Sequence, residues 1–248
     1  ELKRCLKHHK IDHILLPTGF FHQLIKSAID VLDSVVSIVF GGEQINLALL
    51  KKFVVYRKSL KLPTQLINGY GPSEATTVAC RKRIDINALE DDEELSSIGN
   101  KFNNVETYVL DEHLNLAAEG ELYLSGILLA LGYHNCGKQN AEKFIKNPFC
   151  STSPFERLYK TGDLVKILPS GSLLYTGRVD DQVKIGGFRI HLNEIEQRLM
   201  KHSNISLAAV VVELGGEHHK MLTAYIVALK RGYPAEKFPG FAMLGRIF

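Results

Sequence analysis

The chain has 248 residues, 45% of them hydrophobic, with 12 Phe, 9 Tyr and no Trp, enough apolar surface to bury one large core or one large core and one small. The 30 basic and 27 acidic side chains leave a net charge of +3, which gives no field that calls for nucleic acid or an anionic membrane as partner. No apolar run reaches the roughly 18 residues that span a bilayer, residues 1–10 lack the apolar centre of a signal peptide, and Cys5, Cys80, Cys136 and Cys150 are scattered without C-x-x-C spacing, so a cytoplasmic setting is expected.

His13–Pro17 reads as a strand, residues 19–31 as a helix, Val35–Phe40 as an apolar strand and residues 46–57 as a second helix. Gly41-Gly42 thus follows a strand and precedes a helix, the place where open α/β sheets put ligand-binding turns. Gln65–Asn68 is another short strand, with Gly69-Tyr70-Gly71-Pro72 as its turn. Two glycine-rich turns are therefore expected side by side at one sheet edge.

The acidic run Glu90–Glu94 reads as a solvated loop. From about residue 98 short alternating strands take over: Glu106–Leu110, Glu121–Ser125, then Leu164–Leu168 and Ser172–Tyr175 joined by Pro169-Ser170-Gly171, a hairpin signal. One helix, around 138–146, interrupts them. A third texture begins near Asp180, with strands Gln182–Ile185 and Phe188–Leu192, a helix from Glu194 to about Lys201, and strands near 207–213 and 221–229. Asn193 with Glu196 predicts a reciprocal N-cap for that helix. No period organises Arg231–Phe248.

Five segments carry the chemistry in order: GGE at 41–43, NGYGPSE at 68–74, GELYLSG…GYHN at 120–135, YKTGDL at 159–164 and GRVDDQVKIGGFRIHLNEIE at 177–196. Their order and spacing resemble the core motifs of the adenylate-forming, AMP-binding enzymes, most closely the adenylation domains of nonribosomal peptide synthetases. The resemblance covers roughly residues 10–230. It implies an α/β fold: part of a large adenylation core over residues 1–179, made of α/β sheet layers with a β-rich subdomain at about 98–179, then a small mobile α+β lid at 180–248.

The implied reaction joins a carboxylic acid, most simply an amino acid, to ATP as an acyl adenylate and passes the acyl group to the phosphopantetheine thiol of a carrier protein domain. On that resemblance Asp163 takes the ribose hydroxyls, as suits a carboxylate facing two donors, and Arg178 lies by ribose and phosphate. Tyr70 stacks on adenine, Asn68 meets the base edge, and Gly42 and Gly69 let backbone come close. Ser73 donates to the α-phosphate, and Glu74 binds Mg²⁺, for which one carboxylate beside phosphate oxygens suffices. Tyr175 either packs beside the nucleotide or is a half-buried sheet tyrosine; Glu43 is a ligand contact or simply a helix-start residue. Val39, Gly41, Gly69 and Thr77, with Ile14 as a looser candidate, would line part of an acid pocket for a neutral side chain. Asp180 matches the hinge, Lys184 lies close to the reacting groups, and Gly186-Gly187 forms the loop that meets the thiol arm.

Departures from the family pattern fall mostly after Asp180, where Gly186, His191 and Asn193 replace a typical Arg, Glu and Gly. The family's phosphate-holding loop is expected upstream of Glu1, its C-terminal lysine has no counterpart in Arg231–Phe248, and no pocket Asp grips an amino group. The chain therefore reads as an internal fragment, inactive by itself. The competing readings are a non-catalytic nucleotide- or carrier-binding remnant and an acyl-CoA synthetase-like ligase.

Overall fold

The computed structural model describes residues 1–185, 188–214 and 220–228, and the chain divides into two compact units, Glu1–Val179 and Asp180–Phe248. Helix α1 (Leu2–His8) precedes strand β1 (His13–Pro17), helix α2 (Thr18–Ser27), strand β2 (Ser37–Gly41), helix α3 (Leu47–Ser59) and strand β3 (Gln65–Tyr70). β1, β2 and β3 pair in parallel, in that order. Both crossovers run in one direction, and α2 and α3 pack against each other over one core.

The apolar sides of those helices meet the sheet in a core of Leu16, Phe21, Ile25, Ile38, Phe40, Leu50, Phe53 and Leu66. Phe21 stacks on Phe40 at 5.0 Å and meets Phe53 edge-on at 5.2 Å, each buried ring contributing about 1.5–3 kcal/mol. Helix α3 ends in an unusual anchor. Arg57 is 1% exposed and its guanidinium donates to the carbonyls of Leu32, Val35 and Pro63 at 2.8, 2.6 and 2.5 Å and to Thr64 Oγ1 at 2.8 Å.

Strands β4 (Cys80–Ile84) and β5 (Asn100–Lys101) extend this sheet in antiparallel fashion. Between them the acidic run is not a loop: it supplies helix α4 (Asp92–Ser96), capped by Asp91, whose carboxylate accepts from Glu94 N–H at 3.0 Å. Acidic side chains favour a helix start through its dipole. Glu94 is also half-buried, in contact with Lys82 and the hydroxyls of Ser170 and Ser172. The expected helix over 19–31 breaks at Ala28 into α2 and a 3-10 turn, Ile29–Leu32.

The second sheet of this unit holds β6 (Val105–Leu110), β7 (Glu119–Gly126), β9 (Arg157–Ile167) and β10 (Leu173–Arg178) in the order β10-β9-β7-β6, with β8 (Phe144–Lys146) beside β9 after helix α5 (Gly137–Lys143). Strand β9 starts well before the expected Leu164, at Arg157, so the TGD motif lies in a strand and not in a turn. It makes a bulge there: Thr161, Gly162 and Asp163 face the single residue Leu122, and Gly162 takes φ +76, a conformation that suits glycine.

The second unit pairs β11 (Gln182–Ile185) with β12 (Phe188–His191), and β13 (Ile205–Leu214) with β14 (Lys220–Ala228), around helix α6 (Leu192–Met200). The helix starts one residue before Asn193, so Asn193 does not cap it. Asp181 accepts the Asn193 N–H at 2.8 Å, and Glu196 accepts Val210 N–H at 2.8 Å instead of folding back. Residues 229–248, including the unassigned tail, lie outside the described residues. Among the described residues no helix is long and apolar enough to cross a membrane.

Candidate functional site

The carboxyl ends of the parallel strands come into register at one edge, with Pro17 beside Gly41 and Gly41 beside Gly69. The approach at Gly41 is closed to any side chain: a Cβ there would lie 2.3 Å from Gly69 O, whereas a Cβ on Gly69 would meet Val78 at 3.4 Å. Gly42, with φ +96, has open space where a side chain would be. Val39 is half-buried on β2 and Thr77 is exposed after β3, with φ +76. Two residues that no motif singled out also belong to this edge. Val78 packs on Gly69, and Thr18, fully buried directly after Pro17, has no hydrogen-bond partner for its hydroxyl among the described residues. Ile14 is half-buried on β1, and Glu43 lies 3.6 Å from where a Gly19 Cβ would stand.

Strand β3 carries Asn68, Gly69 and Tyr70 from this edge toward the second sheet. Asn68 is 5% exposed and its amide donates to Ser97 O at 2.9 Å, a bond that holds the side chain in place. Tyr70, 7% exposed, donates its phenol hydrogen to Asp163 Oδ2 at 2.5 Å. Burial, and then the Asp163 charge, push the Tyr70 phenol well above its ordinary pKa, which keeps it a donor.

Asp163 is the meeting point of the two sheets. It lies on β9 directly across from Arg178 on β10, and the guanidinium pairs with its Oδ1. The bulge that presents it is held from below: Glu121 accepts the Gly162 N–H at 2.8 Å, and Thr161 donates to Leu122 O at 2.6 Å while accepting the Asp163 N–H at 3.0 Å. Glu121 lies in the GELYLSG segment, a role that its spacing did not reveal. Tyr175 is half-buried against the core of this sheet.

Ser73 and Glu74 begin a 3-10 turn, Ser73–Ala75, just after β3, with Ser73 exposed. Glu74 accepts a hydrogen bond from Tyr133 OH at 2.6 Å. Among the described residues no cluster of three or more His, Cys, Asp or Glu side chains is arranged to hold a metal. A lone carboxylate fits a hard cation whose remaining ligands are phosphate oxygens and water, and does not fit a transition metal needing several protein ligands.

The sequence profile of the AMP-binding enzyme family matches residues 1–134. The chain belongs to that family. It is 40% identical over 231 residues to malpibaldin synthetase of Mortierella alpina and 38% identical over 244 residues to bacitracin synthase 1 of Bacillus licheniformis, covering 92% and 97% of this chain but 4% of each of those proteins. Among solved structures it resembles holo-PA1221, a nonribosomal peptide synthetase protein containing adenylation and carrier domains, with a TM-score of 0.84 and 27% identity over 94% of this chain and 40% of that one. The fold is thus that of an α/β adenylation core, and the chain spans well under half of each of these relatives.

The remaining residues singled out in the sequence fall in the second unit. Asp180 accepts Gln182 N–H at 3.3 Å, and Lys184 lies on β11 across from Arg189. Gly186 and Gly187 lie outside the described residues.

Proposed function

We propose that this chain is the adenine-nucleotide-handling portion of an adenylation domain that activates a carboxylic acid, an amino acid by the resemblance of its motifs, as an acyl adenylate. The observation that supports this most directly is the convergence of Tyr70 and Arg178 on the buried carboxylate of Asp163, the three residues coming from three separate motifs. A carboxylate has about four lone-pair positions; Tyr70 and Arg178 take one each, and two remain for the adjacent hydroxyls of a ribose. Because Asp163 is 2% exposed, binding requires the Tyr70 side to open.

On this reading Arg178 steadies the carboxylate and adds positive charge near the phosphates, and Ser73 and Glu74 face the α-phosphate from the turn after β3. In the first half-reaction a substrate carboxylate oxygen bonds to the α-phosphorus as the bond to the β-phosphate oxygen breaks, releasing pyrophosphate. Positioning and charge neutralisation are what the protein must supply. Mg²⁺, held by Glu74 and the phosphates, would add charge neutralisation there. Gly41, Gly69, Val39 and Thr77 form the acid side, and their small or uncharged side chains suit a neutral substrate side chain.

The second half-reaction, attack of a carrier-borne phosphopantetheine thiol on the acyl carbon with release of AMP, is assigned to the second unit: Asp180 as hinge, Lys184 near the reacting groups, and Gly186-Gly187 at the thiol arm. Amino-acid-dependent exchange of pyrophosphate into ATP tests the reading. We expect exchange when the chain is joined to a half-domain bearing the phosphate loop, near-complete loss with Asp163→Ala, and background exchange for the 248 residues alone. Exchange untouched by Asp163→Ala would remove Asp163 from the site.

A further inference from the structure

The GYHN segment has no part in the scheme above, yet its tyrosine touches the proposed metal carboxylate. We infer that Tyr133 is a positioning residue that fixes the Glu74 carboxylate in the orientation in which it receives the metal of a metal–nucleotide complex. The inference rests on the reading of Glu74 just proposed and adds to it a residue and a function.

Three layers of contact hold Tyr133 in place. Its hydroxyl reaches Glu74 Oε1 at 2.6 Å. Its backbone is clamped on both sides by one side chain, with Tyr133 N–H donating to Asn140 Oδ1 at 2.6 Å and Asn140 Nδ2 donating to Tyr133 O at 2.8 Å. Its ring meets Phe144 edge-on at 5.7 Å, and Phe144 is in turn covered by Tyr159 and the Arg157 guanidinium, each at 5.0 Å. Gly132 is part of the clamp, since a Cβ there would lie 2.7 Å from Asn140 Oδ1.

The turn carrying Glu74 is fastened to the same loop without the phenol. Ala130 N–H donates to Glu74 O at 2.8 Å and Thr76 Oγ1 to Leu128 O at 2.8 Å. The backbone would therefore keep its place if the hydroxyl were removed. What the hydroxyl adds is a fixed contact at the tip of a side chain whose several rotatable bonds must be ordered before it can hold a cation. Groups that orient a metal ligand commonly change metal affinity by about 10–100-fold when removed.

The test is a Mg²⁺ titration of ATP binding to the full chain by equilibrium dialysis, with ATP affinity in EDTA as the control for a structural effect. Tyr133→Phe keeps the ring and its packing. It is expected to leave the melting temperature and the metal-free ATP affinity near wild type while raising the Mg²⁺ midpoint about tenfold or more. Mn²⁺ binding read by electron paramagnetic resonance should weaken in parallel. Asn140→Ala, which loosens the clamp, should move the midpoint in the same direction. A Tyr133→Phe midpoint equal to wild type overturns the inference while leaving the nucleotide site intact, and an equal loss with and without metal overturns it by showing that the phenol supports the site's structure and not its metal. A wild-type chain that binds ATP under neither condition overturns both.

Discussion

Arg178 and Asp163 are direct cross-strand partners and form an ion pair whose side chains are 7% and 3% exposed. A pair so far from water is expensive to break from one side, because the survivor keeps its desolvation penalty. Asp163→Ala should destabilise the first unit by on the order of 3–5 kcal/mol. The double variant with Arg178→Ala should lose less than the sum of the two single ones, as measured by urea unfolding. Additive losses would show that the two charges do not depend on each other.

The two glycines at the strand edge should respond differently to the same change. Gly69→Ala brings a methyl to 3.4 Å from Val78, ordinary contact, and should fold normally while narrowing the proposed acid pocket. Gly41→Ala puts a methyl 2.3 Å from a backbone oxygen, which no rotamer relieves, and should lower the melting temperature by several degrees. Thermal unfolding separates the two; equal stability of both variants would refute the close approach.

His22 accepts the Asn46 N–H at 3.0 Å where α3 begins. Burial, then the Lys26 charge, pull its pKa down from 6.5 to about 4. Its folded pKa lies below its unfolded one, so the unfolded chain binds the extra proton first as pH falls. The contribution to stability is complete above about pH 6.5 and is lost as pH falls toward 4. For a half-buried group it amounts to roughly 1–2 kcal/mol. His22→Gln should flatten stability against pH across that window; an unchanged slope would mean His22 is not the group responsible.

Arg57 ties together the chain entering β2 and the chain entering β3, its donors closing the carbonyls of Leu32 and Val35 ahead of β2 and of Pro63 ahead of β3. Arg57→Met fills similar volume but leaves those carbonyls without these donors, at a cost of about 1–3 kcal/mol for each group left unsatisfied. Arg57→Lys should recover part of the loss and not all, since an ammonium lacks the planar fork. A denaturant midpoint for Arg57→Met within error of wild type would contradict this anchor.

The parallel strands were legible in the sequence because Val35–Phe40 and His13–Pro17 are largely apolar runs ended by Gly or Pro, although in β1 only Leu16 is buried. Strand β4 was not: in CRKRI only the first and last residues are buried, and the charged middle disguises it. Helix α1 buries Leu6 alone, too little to show a period. The acidic run of α4 looks the same whether it is solvated or capping. Asp163 and Arg178 could be picked out through their motif, but their pairing depends on the β9–β10 register, and Tyr133 and Glu121 act through contacts 59 and 41 residues distant in the chain. Arg57 would pass for a solvated helix residue in any reading of the sequence.

Tyr70 belongs to the first, mixed sheet and Asp163 to the antiparallel one, so the Tyr70 phenol bridges the two sheets. This has a practical meaning for anyone building chimeras. The residues proposed to face the acid sit on β2, on β3 and just beyond it, while Asp163 and Arg178 sit on β9 and β10, and a transplanted block spanning residues 13–80 would carry the first set and leave the second. Such a graft keeps the proposed nucleotide site only if the incoming block brings a tyrosine hydroxyl to position 70 and a carboxylate to position 74 that Tyr133 can reach.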